Sequence, residues 1–138
     1  MIRVYLDLCA IRRPLDTPSQ VRIILEAEAV LGILSLCAAG LIELVSSEAL
    51  VYEAEQNPLP IRREHSYSVL AKAKTIINVT ASVKERASQF LQHGINPLDA
   101  VHLASAEVSQ VDYFCTCDDQ LVRKARRIKV RPTCASSR

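Results

Sequence analysis

Short runs of apolar, β-branched residues alternate along this chain with longer stretches in which apolar residues recur every three or four positions. Runs of the first kind predict strands. They lie at residues 2–6, 41–45, 75–79, 111–117 and 128–130. Stretches of the second kind predict helices, at about residues 19–39, 48–56, 61–74, 80–93, 96–108 and 121–127. Strands that alternate with helices indicate an α/β fold with a parallel sheet covered on both faces.

Turn and capping residues mark the boundaries of these elements. A polar, proline-containing loop at residues 12–19 separates the first strand from the long helix, and Gly40 is well placed to end that helix. Asn96 is expected to cap a helix whose first residue is Pro97, since proline is favoured at that position.

The composition fits one globular domain. Of the 138 residues, 49% are hydrophobic and 23% are charged, so the chain can bury a sizeable core. We expect a single domain over residues 1–131 and a C-terminal tail over residues 132–138. Aromatic residues make up only 4%, which argues against an RNA-binding domain that stacks bases on aromatic side chains.

Basic residues are concentrated at the end of the chain, although the formal net charge is only +2. No acid follows Asp119 in the sequence, whereas several basic residues do. These are Arg123, Lys124, Arg126, Arg127, Lys129, Arg131 and Arg138. The segment either attracts phosphate groups or complements a helix C-terminus and continues as a solvated tail.

Cysteine usage and the start of the chain bear on the compartment. The 5 cysteines form no C-x-x-C pair, which indicates reduced thiols rather than a disulfide framework or a zinc site. The opening MIRVYLDL is a short apolar stretch that charged residues soon interrupt, so it does not fit the apolar region of a signal peptide. No apolar run reaches the roughly 20 residues that span a membrane. We therefore expect a cytoplasmic protein without a membrane segment.

Acidic residues lie where the predicted strands end or the following helices begin. They are Asp7, Glu48, Glu53, Asp99, Asp118 and Asp119. Taken singly, most of them have an ordinary explanation as helix-start residues. Asp7 is harder to explain in that way because apolar residues flank it, and a buried carboxylate needs a partner or a cation.

These acids are expected to meet in one crevice, since ligands of parallel α/β sheets bind at the carboxyl ends of the strands. Clustered carboxylates raise one another's pKa and favour hard cations such as Mg²⁺ or Mn²⁺. Such cations support the hydrolysis of phosphodiesters. The chain has no Cys/His set that would compete for the metal, and no P-loop.

Four stretches of the chain resemble, in order, the motifs of the PIN-domain family. They are YLDLCAIRRPLD, ELVSSEALVYE, NPLDAVHLASAE and FCTCDDQLVRKA. The resemblance covers nearly the whole chain and is closest to small bacterial PIN proteins that are toxins of type II toxin–antitoxin pairs. It implies a three-layer α/β/α sandwich with about five parallel strands. It also implies an Mg²⁺- or Mn²⁺-dependent ribonuclease acting on single-stranded RNA, with a protein antitoxin as partner and a homodimer as assembly.

The resemblance places metal binding and catalysis on four acids of this chain, namely Asp7, Glu48, Asp99 and Asp118. Glu53 also fits the second position, and we prefer Glu48 because it is nearer the strand end. Asp119 is implied as an additional or occasional ligand, and Thr116 as the hydroxyl that accompanies Asp118.

Basic residues near these acids are candidates for contacts with RNA phosphates: Arg12, Arg13, Arg22, Arg123 and Lys124. Their ordinary explanations are a solvated loop and an Arg22–Glu26 pair along one helix. His102, one turn after Asp99, is either a partner for a carboxylate or phosphate or a partly buried helix residue.

The chain departs from the family pattern after the first acid, where an Asn or Ser is common and this sequence has Leu8, Cys9 and Ala10. Soft thiols at Cys9 and Cys117 would then lie beside a hard-metal site and make it sensitive to oxidation or to Zn²⁺. Two further functions stay open. One is that of a PIN-like module that binds RNA or protein without catalysis. The other is that of a phospho-acceptor receiver domain, for which Lys129 would follow the last strand.

Overall fold

A computed structural model describes residues 1–128 of the chain. Within that range, one sheet contains four parallel strands: β1 Ile2–Leu6, β2 Ile42–Ser47, β3 Thr75–Ile77 and β4 Tyr113–Cys115. Their order across the sheet is β3-β2-β1-β4. The strands β2 and β3 thus lie on one side of β1, and β4 lies on its other side. A crevice is expected at such a reversal of strand order, outside the carboxyl ends of β1 and β4.

Helices connect the strands and cover the sheet as a three-layer α/β/α sandwich, as predicted. In the described residues they are α1 Leu8–Arg12, α2 Val21–Ala38, α3 Glu48–Glu55, α4 Pro60–Leu70, α5 Ala81–Gln92, α6 Pro97–Val108 and α7 Asp119–Ile128. A 3₁₀ turn at Arg13–Leu15 follows α1 where a polar loop was predicted. None of these helices combines the length and apolar character needed to cross a bilayer.

Side-chain caps begin α3, which follows β2, and α6, which follows α5. Ser47 ends β2 and caps α3, because its hydroxyl accepts a hydrogen bond from the backbone N–H of Leu50 at 3.1 Å. Asn96 caps α6 by accepting from the N–H of Asp99 at 2.9 Å, and Pro97 is the first residue of that helix, as predicted. These caps fix where each helix starts relative to the sheet edge.

The observed strands differ from the predicted ones mainly at their ends. β2 extends to Ser47 because Ser46 and Ser47 pair with β3. The strand predicted at 111–117 is only Tyr113–Cys115, since the N–H of Val111 bonds to the end of α6. The predicted fifth strand at 128–130 is wrong at its first residue, because Ile128 belongs to α7. Its other two residues lie outside the described range.

The core is built around β1, which has a neighbour on each side. Tyr5 pairs in register with Phe114 of β4, and the two rings stack at 5.4 Å between centroids with 12° between their planes. Tyr5 and Leu6 have no solvent exposure. The last residues of β1 are therefore held on all sides, and this fixes the position of Asp7 directly after them.

Phe90 of α5 offers a direct test of this packing. Its side chain is fully buried, with the guanidinium of Arg86 4.4 Å from the ring centroid. We expect Phe90→Ala to lower the free energy of unfolding by roughly 3–5 kcal/mol, because it removes a large buried group and leaves a cavity. Denaturant unfolding measures this loss. The neighbouring Leu91 is 44% exposed, so Leu91→Ala is the control, and an equal loss in both variants would contradict the assigned packing.

Candidate functional site

Asp7 lies directly after β1 and is buried, with 5% of its surface exposed. Its N–H bonds to the carbonyl of Cys115 at 3.1 Å, which continues the β1–β4 pairing. Its Oδ1 accepts hydrogen bonds at 3.0 Å from the N–H of Ala10, as the cap of α1, and from the Cys9 thiol. Burial raises the pKa of Asp7 well above its usual value. The carboxylate is thus at the strand end where the sequence placed it, in surroundings that disfavour its charge.

Asp99 and Asp118 line one cleft of about 120 Å³ between the start of α6 and the start of α7. The side-chain amide of Asn96 donates to Asp99 Oδ2 at 2.7 Å and fixes that carboxylate. Asp118 caps α7, since its Oδ1 accepts from the N–H of Gln120 at 2.9 Å and of Leu121 at 3.2 Å. The cleft therefore holds two of the predicted acids, from two different helix starts.

Burial raises the pKa of Asp99, and the negative charges of Asp118 and Glu53 raise it further, while the hydrogen bond from the Asn96 side chain lowers it. This identifies Glu53 as an electrostatic neighbour of Asp99. Glu53 Oε1 lies 2.8 Å from Nε2 of His102, which is 1% exposed. Of the two explanations for His102, the structure thus shows the contact with a carboxylate, made by a ring that is also buried.

Glu48 lies apart from this group. Its side chain is exposed, and its Oε1 accepts a hydrogen bond from the N–H of Val79, just beyond β3, at 2.5 Å. The preference for Glu48 over Glu53 as the second acid followed from distance along the sequence. The observed contacts favour Glu53, because helix α3 carries it back toward α6 while Glu48 turns toward the outer strand.

Asp119 engages Arg22 of α2 instead of the cleft. The guanidinium of Arg22 contacts both carboxylate oxygens of Asp119, at 2.6 and 2.8 Å, and also Glu26 Oε2 at 3.0 Å. Its Nη2 donates to the carbonyl of Cys117 at 3.3 Å. Sequence reasoning found the Arg22–Glu26 pair and missed Arg22–Asp119, because that pair joins residues far apart in the chain.

The other basic candidates have varied surroundings. Arg13 contacts Asp16 and the largely buried Glu26, and Arg12 donates to the carbonyl of Leu8 at 3.3 Å. Lys124 lines the cleft of Asp99 and Asp118, with its Nζ 2.9 Å from the carbonyl of Gly94. Arg123 is exposed on α7. Among the predicted cations, Lys124 thus lines the cleft that holds Asp99 and Asp118.

Two thiols and a hydroxyl lie together just beyond the carboxyl ends of β1 and β4. Cys9 Sγ lies 3.3 Å from Thr116 Oγ1 and accepts from the N–H of Cys117 at 3.4 Å. A hydrogen bond between the two thiols raises the pKa of Cys9, together with burial, and lowers that of Cys117. Thr116 also accepts from the N–H of Asp118 at 3.1 Å. Cys117 therefore contacts Cys9 and is not simply an apolar packing residue.

The chemistry of this donor set suits a hard divalent cation. Asp7 and Asp99 carry raised pKa values because burial disfavours their charge, and a cation would relieve that cost. In the described residues, no three His, Cys, Asp or Glu side chains stand close enough together to hold a metal ion as they are. The residues fit such an ion by type and by location, and ligation would require the carboxylates to turn toward one another.

The raised pKa of Asp7 predicts how the stability of the metal-free protein depends on pH. Folding increases the proton affinity of this group, so its stabilising contribution is complete below the usual value of 3.8 and is lost as the pH rises through the raised value. We expect Asp7→Asn, which keeps an acceptor for the N–H of Ala10, to reduce the fall in melting temperature between about pH 4 and pH 7. Thermal unfolding across that range measures it. Parallel curves for wild type and variant would contradict the prediction.

Comparisons with known proteins agree with this fold. The sequence pattern of the PIN domain matches residues 4–127. The structure resembles FitAcB from Neisseria gonorrhoeae, with 16% sequence identity, a TM-score of 0.61 and coverage of 98% of this chain and 96% of that chain. It also resembles VapBC2 from Rickettsia felis bound to a DNA fragment from their promoter, with 12% identity, a TM-score of 0.63 and coverage of 99% and 100%.

At these identities the two structures support the fold alone, and no curated protein sequence matches the chain. The PIN-domain match instead spans both ends of the sheet and every acid discussed above. It confirms the family resemblance of the four sequence motifs and leaves the receiver-domain hypothesis without support. The chain belongs to the PIN-domain family.

Proposed function

We propose that this protein is a divalent-cation-dependent endoribonuclease that cleaves single-stranded RNA. One observation carries the proposal, which is that Asp99 and Asp118 line one cleft while Glu53 adjoins Asp99. Asp7 lies directly after β1 and contacts the side chain of Thr116, which comes two positions before Asp118. Four carboxylates from four parts of the chain thus lie around the carboxyl ends of β1 and β4, and binding of a cation would draw them together.

The acids in this crevice would hold Mg²⁺ or Mn²⁺. The ligating side chains would be Asp7, Glu53, Asp99 and Asp118. When bound, the cation supplies charge stabilisation for phosphodiester hydrolysis. Asn96 holds the Asp99 carboxylate through its side-chain amide, and Lys124 stands at the cleft where the RNA phosphate would lie. Arg123 and Lys124 add positive potential along the path of the RNA backbone.

Removal of the metal tests this proposal. We expect the purified protein to cleave single-stranded RNA in Mn²⁺, to stop in excess EDTA and to recover when Mn²⁺ is restored, because the carboxylates alone supply no positive charge to the phosphodiester. Gel analysis of a labelled RNA measures cleavage, and Asp99→Asn purified in the same way controls for contaminating nucleases. Cleavage that persists in EDTA, or that the variant retains in full, would contradict the proposal.

A role as a toxin paired with a protein antitoxin extends this proposal. The family resemblance suggests it, and the surface of α2 supports it, because Val21 and Leu25 are 72% and 61% exposed. They line a groove of about 500 Å³ together with Arg22 and Ala29. An apolar face of this kind suits a protein partner, either an antitoxin or a second copy in a homodimer. A cytoplasmic location follows from the same role, since the RNA substrate and the antitoxin would be met there.

A second candidate function is that of a PIN-like module that binds RNA without cleaving it. Two observations favour it, namely the pairing of Asp119 with Arg22 and the separation of the acids in the described residues. It predicts salt-dependent RNA binding that survives Asp7→Asn and Asp99→Asn but is lost when Arg123, Lys124 and Arg126 are neutralised. Binding assays on these variants, run beside the cleavage assay, separate the two functions.

A further inference from the structure

A buried chain of hydrogen bonds runs from the start of α3 to Glu53, one member of the acid cluster formed by the proposed ligands Asp7, Glu53, Asp99 and Asp118. The hydroxyl of Ser47 lies 2.7 Å from Tyr5 Oη, which lies 2.7 Å from His102 Nδ1. On the other side of the ring, His102 Nε2 lies 2.8 Å from Glu53 Oε1. Ser47, Tyr5 and His102 are between 0% and 1% exposed. Burying polar groups this deeply is costly unless they are hydrogen-bonded, and each of these three side chains has partners.

The positions of the hydrogens in this chain follow from its buried end. Ser47 Oγ already accepts from the N–H of Leu50, and within the described residues Tyr5 Oη is the acceptor that its own hydrogen can reach. Tyr5 therefore accepts from Ser47 and donates its hydrogen to His102 Nδ1. With Nδ1 as an acceptor, the ring carries its hydrogen on Nε2 and donates it to Glu53. This assignment, which gives every hydrogen in the chain an acceptor, favours the tautomer of His102 with its hydrogen on Nε2.

We propose that His102 is a positioning residue that aims the Glu53 carboxylate at the acid cluster. Only the Glu53 end of the chain reaches solvent, since its side chain is 27% exposed whereas that of His102 is 1% exposed. β1 contributes Tyr5, β2 contributes Ser47, α6 contributes His102 and α3 contributes Glu53. A donor held by three elements therefore orients the acid that stands on α3, more than one turn beyond the end of β2. The inference rests on the proposed function, in which Glu53 binds the cation.

Metal affinity tests this role without any assay of cleavage. We expect His102→Leu to weaken Mn²⁺ binding by about 10–100-fold, the effect usually seen when a residue that orients a metal ligand is removed. His102→Gln keeps an N–H donor directed at Glu53 and should restore most of the affinity. Tyr5→Phe leaves the ring of His102 in place but removes the donor to Nδ1, so an intermediate loss is expected. Titration calorimetry with MnCl₂ measures all three variants.

A control variant and an NMR measurement distinguish the positioning role of His102 from a general effect on the structure. His65→Leu alters another helix histidine, which contacts the carbonyl of Ile11 at 2.9 Å, and should leave Mn²⁺ affinity unchanged. Nitrogen NMR of metal-free protein should show the His102 hydrogen on Nε2 in the wild type and a mixture of tautomers in Tyr5→Phe. A hydrogen on Nδ1 in the wild type would overturn the proposal, even if His102→Leu fails to fold.

The outcomes separate this inference from the proposed ribonuclease function. Unchanged Mn²⁺ affinity in folded His102→Leu, with normal binding by the wild type, overturns the role of His102 alone. Intact Mn²⁺ binding and the expected losses, without cleavage of any RNA, overturn the ribonuclease and support His102. A wild-type protein that binds no Mn²⁺ overturns both.

Discussion

Asp99→Asn is expected to slow Mn²⁺-dependent RNA cleavage by roughly 100-fold or more, because it removes a ligand charge from the cleft that Asp99 shares with Asp118. The substitution keeps the size of the side chain and an oxygen that can accept from the Asn96 amide. The start of α6 should therefore remain intact. The measurement is kcat/KM on a fluorogenic single-stranded RNA at saturating Mn²⁺, together with a thermal melt of each protein.

The thermal melt separates an effect on catalysis from an effect on stability. Burial raises the pKa of Asp99, so loss of its charge should leave the metal-free protein as stable as the wild type or more stable. Asp112→Asn is the matched control, since Asp112 accepts from the N–H of Arg3 near the amino end of β1, far from the acids. Equal rates for wild type and Asp99→Asn would place the chemistry elsewhere, and a large loss in Asp112→Asn would point to a general effect on folding.

Glu53→Gln and Glu48→Gln should differ by at least about 10-fold in cleavage rate, with Glu53→Gln the slower enzyme. Glutamine at position 53 can still accept from His102 Nε2, so the buried hydrogen-bond chain survives and only the charge is lost. Glutamine at position 48 can still accept from the N–H of Val79 beyond β3. Each variant is thus a matched control for the other.

The same pair of variants should separate in Mn²⁺ affinity. Glu53 contributes to the electrostatic environment of Asp99, so its neutralisation removes charge from the cation site itself. Glu48 lies at the outer side of the sheet, and its neutralisation should leave the affinity close to that of the wild type. A larger loss in Glu48→Gln would restore the sequence-based preference for that residue and require the side chain to swing toward the cleft.

Sequence reasoning predicted the positions of the acids well where the ends of strands determine them. Asp7 follows β1 and Asp118 follows β4, and the parallel pairing of Leu6 with Cys115 brings those two ends together. Periodicity and the position of the acid suffice for such a prediction, because the carboxyl ends of parallel strands share one edge. The start of α6 was predictable as well, since Asn96 and Pro97 give a strong local signal.

Sequence reasoning predicted side-chain positions less well where the orientation of a helix determines which way each side chain faces. Glu48 and Glu53 lie on the same helix, and only the direction of α3 relative to α6 shows that Glu53 meets His102. The roles of Tyr5 and Ser47 were missed for a similar reason. A tyrosine inside an apolar strand is typical of a core residue, and a polar partner for its hydroxyl, from a neighbouring strand and helix, leaves no local pattern in the sequence.

The strand order has a consequence for when the protein can become active during its synthesis. β4 pairs with the first strand, and the contact between Arg3 and Asp112 joins residues separated by 109 positions. Contacts of such long range form late, and a nascent chain cannot make them before β4 has left the ribosome. Until then Asp7 and Glu53 are present without Asp118. The acids are therefore brought together only after β4 and Asp118 have been synthesised, which would keep the proposed nuclease inert through the earlier part of translation.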